Sequence, residues 1–165
     1  MGDSVLSRVN PPPLIQDAVS KLCTRFEAVG YAMTPVIDIG ALVANADGTV
    51  DEKELEMLHY LFDALLGSHL TRDVLEHLVR GSLQIILEAG LEPRARFLAE
   101  ILMDCRCVDE GLMVAFGVAY ASEGLGDPER AVISQIAKHA HVSSDRFEAL
   151  AVQVEKAYAA RGGEA

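Results

Sequence analysis

The stretch Val36-Ile37-Asp38-Ile39-Gly40-Ala41-Leu42-Val43-Ala44 constrains this chain more than any other. It is apolar on nearly every face of a helix, yet too short to span a bilayer, so other helices have to surround it. A second segment of the same kind, Val114-Ala115-Phe116-Gly117-Val118-Ala119, occurs further along, and each runs into a Gly-containing acidic loop, Asp47-Gly48 or Glu123-Gly124. At an offset of 76 residues Asp47 aligns with Glu123, Gly48 with Gly124, Asp51 with Asp127 and Leu42 with Val118. That period is longer than the usual solenoid repeats, so it reads as an internal duplication about a pseudo-two-fold axis. The expected fold is all-α, a compact bundle of seven or eight helices.

The remaining pattern agrees. Pro11-Pro12-Pro13 closes an extended N-terminal arm over residues 1–13. Helical spacing starts at Leu14 and continues through Ile15, Ala18, Val19, Leu22 and Phe26 to a stop near Gly30. Further helices are predicted from Pro35, from Glu52 to about Gly67, Thr71 to Ala89, Pro93 to Cys107, Asp109 to Ala121, Asp127 to His139, and Ser143 to Ala159. Leu70-Thr71 and Val142-Ser143 each place an apolar residue before an N-cap, with Leu75 and Phe147 positioned to close a hydrophobic staple. Residues 14–160 read as one domain and 161–165 as a short tail. Only 5% of the residues are aromatic and Trp is absent, so Leu, Val, Ile and Ala must fill the core.

The net charge of −11 disfavours nucleic acid, since no Lys/Arg cluster is dense enough to neutralise a phosphate backbone. It favours cations or a protein partner with a basic surface. No export signal or membrane-spanning run stands out, and Cys23, Cys105 and Cys107 cannot all pair, so reduced thiols in a cytoplasmic protein are expected.

The sharpest motif is Asn45-Ala46-Asp47-Gly48-Thr49-Val50-Asp51-Glu52-Lys53-Glu54. It imitates the later part of an EF-hand loop, with Asn45, Asp47, Gly48, Asp51 and Glu54 at positions three, five, six, nine and twelve. Position one is Val43, so the loop acting alone should bind calcium poorly. Helix-starting chemistry explains the same letters: Gly48 turns the chain, Asp51 caps the next helix and Glu54 completes a capping box. The second loop gives Asp127 as N-cap with Pro128 at the first helical position. If the two loops face one another across the axis, Asp47, Asp51, Glu54, Glu123, Asp127 and Glu129 are the candidate ligands for one divalent cation, calcium or magnesium.

A buried helix, Ala-Asp-Gly and a capped helix with Glu at its start, followed by a second similar copy, resembles the tellurite-resistance protein B (TerB-like) family. The resemblance covers roughly Leu14 to Tyr158 and is best over Ala44 to Glu54. It implies a compact helical bundle, acidic residues that chelate divalent cations, and a link to stress response and membrane-associated protein assemblies. By that likeness Asp47 and Glu54 are the ligand candidates of the first half. The second half departs from the pattern, because Arg130 stands where the repeat wants Glu, with Glu129 one position early. Either a one-residue slip preserves Glu129 or the second half has lost its role.

Other constellations are weaker. Cys105 and Cys107 at i and i+2 should diverge on the helix that carries them, and His59, His69, His77, His139 and His141 are scattered. No nucleophile elbow, phosphate loop or zinc-protease motif is present. The expected function is a non-enzymatic binding module. A metal-dependent hydrolase with a His base and a metal-free structural adaptor stand as the alternatives.

Overall fold

Eight helices account for almost all of the residues that the computed structural model describes, which are 11–30, 34–46, 52–66, 71–121 and 125–162. They are α1 (Pro13–Val29), α2 (Thr34–Ala44), α3 (Glu52–Leu66), α4 (Arg72–Ala89), α5 (Leu91–Asp104), α6 (Val108–Tyr120), α7 (Asp127–His139) and α8 (Ser144–Gly162). No strand occurs among the described residues. Pro12 is extended, at φ −54° and ψ 152°, and Pro13 opens α1, where a missing N–H costs no hydrogen bond. Thr71 and Ser143 cap α4 and α8 by accepting from the backbone N–H of Val74 and Arg146, at 3.3 and 3.2 Å. Each such cap contributes about 1 kcal/mol.

Helices α2 and α6 form the centre, as their composition requires. Every residue of α2 from Asp38 to Ala44 is buried, as is α6 from Val114 to Ala119. The two pack on each other, and small residues allow other helices to come close to α6 as well. A Cβ built on Gly117 would stand 3.0 Å from the Ile15 Cδ1 of α1. Around this pair the packing is nearly symmetric under exchange of α1–α4 with α5–α8. The pairs α1·α3, α2·α3, α2·α4, α1·α6, α1·α8 and α3·α6 have the counterparts α5·α7, α6·α7, α6·α8, α2·α5, α4·α5 and α2·α7, whereas α3·α4 and α5·α6 pack more closely than α7·α8 and α1·α2 do among the described residues. The halves meet at Gly90, whose φ of 89° and ψ of 158° suit only a residue without Cβ.

One charged residue lies within the central layer. Asp38 of α2 accepts from Ser82 Oγ of α4 at 2.7 Å and forms an ion pair with Arg94 of α5. Arg94 in turn lies over the Phe97 ring at 5.0 Å, while its Nε is buried without a partner. A carboxylate amid apolar side chains needs such compensation. The brace ties three helices together.

Three helix boundaries differ from expectation. Helix α5 begins at Leu91, before Pro93, and stops at Asp104, so Cys105-Arg106-Cys107 is a turn. Arg106 adopts φ 53°, and the N–H of Cys107 reaches the Leu102 carbonyl at 3.0 Å, which is a Schellman closure. The same closure ends α7, where His141 has φ 59° and Val142 N–H reaches the Ala137 carbonyl at 2.9 Å. Helix α8 continues through residues 161 and 162, which the sequence assigned to a tail.

Candidate functional site

Of the six acidic residues singled out as metal ligands, Asp47, Asp51 and Glu123 lie outside the described residues, as do Gly48 and Gly124. The other three sit at the first turns of α3 and α7. Glu54 is the third residue of α3 and is 3% exposed; Glu129 is the third residue of α7 and is 8% exposed. The two glutamates therefore share a helical position although they are not matched at an offset of 76. The connection from α6 to α7 is one residue shorter than that from α2 to α3, which shifts the second helix by one.

That slip accounts for Arg130. Its guanidinium turns to α8, where it pairs with Glu148 and lies 5.3 Å over the Phe147 ring. Phe147 packs edge-on against Phe116 of the central helix, with ring centroids 5.2 Å apart. Arg130 thus fastens α7 to α8, and Glu129 takes the helical position that Glu54 has in the first half. The capping assignment also changes: Gly126 is the N-cap, at φ −77° and ψ 168°, with Asp127 first and Pro128 second in α7. Asp127 is exposed and corresponds by position to Glu52, likewise exposed at the first position of α3. Arg72 of α4 binds both oxygens of Glu52, at 2.6 and 2.7 Å.

The α7 start has unusual local chemistry. Gly126 offers no side-chain cap, and Pro128 has no N–H. The Glu129 carboxylate folds back over the N-cap residue; a Cβ built on Gly126 would stand 2.5 Å from its Oε2. A carboxylate there is favoured by the helix dipole. Among the described residues no donor hydrogen-bonds to it; the residue as a whole is 8% exposed, and its carboxylate oxygens keep contact with solvent. Helices α3 and α7 pack on α6 and α2 respectively, so both glutamates are carried by helices seated on the central pair.

No group of three or more His, Cys, Asp or Glu side chains gathers at metal-binding distance among the described residues. Two surface hollows, one lined by Glu92, Pro93 and Phe97 and the other by Glu148, Val152 and Lys156, include neither Glu54 nor Glu129. His139 and His141 lie at or beyond the far end of α7, about 15 Å along the helix axis from Glu129. His77 is in α4, and His59 lies five residues after Glu54 on α3.

The cysteines differ most from the sequence reading. Because α5 ends at Asp104, Cys105 and Cys107 flank a reversal and do not diverge on a helix; each is 1% exposed. Burial pushes the Cys107 thiol up to about 12, with Cys105 and Glu110 adding to the shift and Arg25 of α1 opposing it. Cys105 is raised chiefly by burial, and its interaction with Cys107 acts in the other direction. The two thiols are therefore electrostatic neighbours. The helix end that brings them together carries no Gly or Pro, which is why the sequence concealed it.

Comparison with family models, with curated proteins and with solved structures found no match to this chain.

Proposed function

We propose that this chain is a non-enzymatic, TerB-like binding module in which the starts of α3 and α7, with the loops that precede them, hold a hard divalent cation, calcium or magnesium. The observation that carries this reading is the pair Glu54 and Glu129. They belong to residues of low exposure at the same position of two helices that hold equivalent places in the two halves, and no described donor hydrogen-bonds to Glu129. A carboxylate held at a helix start and free of protein donors is available to coordinate a hard cation through oxygen. Asp47, Asp51 and Glu123 belong to the connecting loops and complete the proposed donor set; Asp127 lies at the rim.

The partner side of the reading rests on charge. A net charge of −11, with Glu52 and Asp127 exposed at the two helix starts, presents an acidic surface to a protein with a basic face. Cation binding would neutralise part of that surface and so couple metal occupancy to partner affinity. A role in stress response follows from the resemblance alone.

Isothermal titration of metal-stripped protein with calcium and with magnesium tests the proposal. Heat saturating below millimolar metal, lost in Glu129→Gln and Glu54→Gln while both variants stay helical, is the expected result. Absence of heat at millimolar concentrations of either ion removes the metal and leaves the metal-free adaptor.

A further inference from the structure

We propose that this chain pairs with a second copy of itself by exchanging halves about Gly90, so that α1–α4 of one copy packs with α5–α8 of the other. The exchange uses the core interface and none of the carboxylates at the starts of α3 and α7, so it stands or falls apart from the function proposed above.

The connector permits the exchange. Helix α4 ends at Ala89 and α5 begins at Leu91, so a single residue joins the halves. Gly90 holds the turn at φ 89° and ψ 158°, a region essentially reserved for glycine, and its N–H donates to the Ile86 carbonyl at 2.8 Å. Rotation about those two angles redirects α5 without disturbing the packing inside either half. The surfaces that then part are largely apolar: α1 and α2 lie on α6, and α2 also lies on α5 and α7. The ion pair of Arg94 with Asp38 crosses the same boundary. A second copy carries each of these partners in the same arrangement, so exchange restores them between chains.

A separate observation beside the hinge points to the second copy. A one-residue connector spans at most about 7 Å, so two exchanged bundles must abut where their chains cross. That brings together both copies of the α4 end and the α5 start. Ile85, Leu87 and Leu91 are exposed in this segment, Leu87 by 83%. In a lone chain these side chains face water; in the exchanged pair they meet their own counterparts across a two-fold axis. Glu88 and Glu92 are exposed among them, so the new contact should strengthen as salt screens their repulsion.

The test is joint refolding from urea, at high protein concentration, of two full-length variants, Asp38→Leu and Arg94→Met. Each variant alone strands one charge of the pair. In an exchanged heterodimer one bundle keeps the native pair and the other combines the two substituted side chains, so both defects are relieved. Size exclusion with light scattering should show a dimer containing both chains, with a urea midpoint about 1 M above that of either variant alone. If a variant does not fold alone, recovery of helix only in the mixture gives the same reading. Gly90→Ala, which penalises the closed turn, should raise the dimerisation constant of the otherwise native chain at least about tenfold. Leu87→Glu, which sets like charges against each other at the new contact, should lower it at least about tenfold and leave the monomer midpoint unchanged. Monomers alone from the mixture, a dimer without the gain in midpoint, or dimerisation unaffected by Gly90→Ala or by Leu87→Glu would each overturn the proposal.

Discussion

Replacing Asp38 by Ala removes the acceptor of Ser82 and the counter-ion of Arg94 in one step. The Arg94 side chain is 17% exposed and its Nε is already unpartnered, so the stranded guanidinium finds little water. Breaking a fully buried pair costs about 3–5 kcal/mol; the residual exposure here lowers the expectation to about 2–4 kcal/mol. In urea that is a midpoint shift of about 1–2 M, read by far-UV circular dichroism. Arg94→Met should cost a similar amount by stranding the carboxylate. The informative variant is Asp38→Leu with Arg94→Met, which removes both charges and fills the space with apolar atoms. Only Ser82 then lacks a partner, so the double variant should lie within about 1 kcal/mol of wild type. If its loss equals the sum of the two single losses, the residues are not coupled and the brace is misread.

Glycines in two helices should respond in opposite directions. Nothing lies within 4 Å of a Cβ on Gly81 in exposed α4, so Gly81→Ala should stabilise by about 1 kcal/mol in the same urea assay. At Gly117 the added methyl meets the fully buried Ile15, and that gain should be cancelled or reversed. Arg106→Gly relieves a left-handed residue with an exposed side chain and should raise stability by about 0.5–1 kcal/mol. Native Cys107 should resist iodoacetamide at pH 8, where about one thiol in ten thousand is ionised, while half-buried Cys23 reacts first, as peptide mapping would show. Because the folded thiol titrates near 12 and the usual value is 9.0, its contribution is complete below pH 9 and is lost as pH rises toward 12. The decline is at most about 1.4 kcal/mol per pH unit, and Cys107→Ala should flatten it.

The sequence displayed whatever depended on neighbours close along the chain. The apolar stretches Ile39 to Ala44 and Val114 to Ala119 announced the central helices, because burial on every face leaves no polar periodicity. Thr71 and Ser143 could be read as caps because an N-cap and the N–H it satisfies are three residues apart. What stayed hidden depended on distance or on local compromise. The partners of Asp38 lie 44 and 56 residues away, although a lone carboxylate in an apolar run is itself a sign that partners exist. Helix α5 stops at Asp104 and is closed by Arg106, a residue with no preference for the left-handed region, in a turn that buries Leu102 and Cys107. At α7, the loss of one residue from the preceding connection moved Glu129 into place and freed Arg130 for Glu148, a register change that alignment by offset could not resolve.

The cross-packing of the halves makes each depend on the other. Helix α1 lies against α6 of the other half, and α2 presents much of its apolar surface to α6 as well. A single four-helix copy would therefore leave α2 open on one side and α1 without its main neighbour. Two separate four-helix copies would cover these surfaces by exchange, each lending its first helix to the other. Gly90 is the junction at which the two halves join. A chain cut at that residue should reassemble from its separate halves.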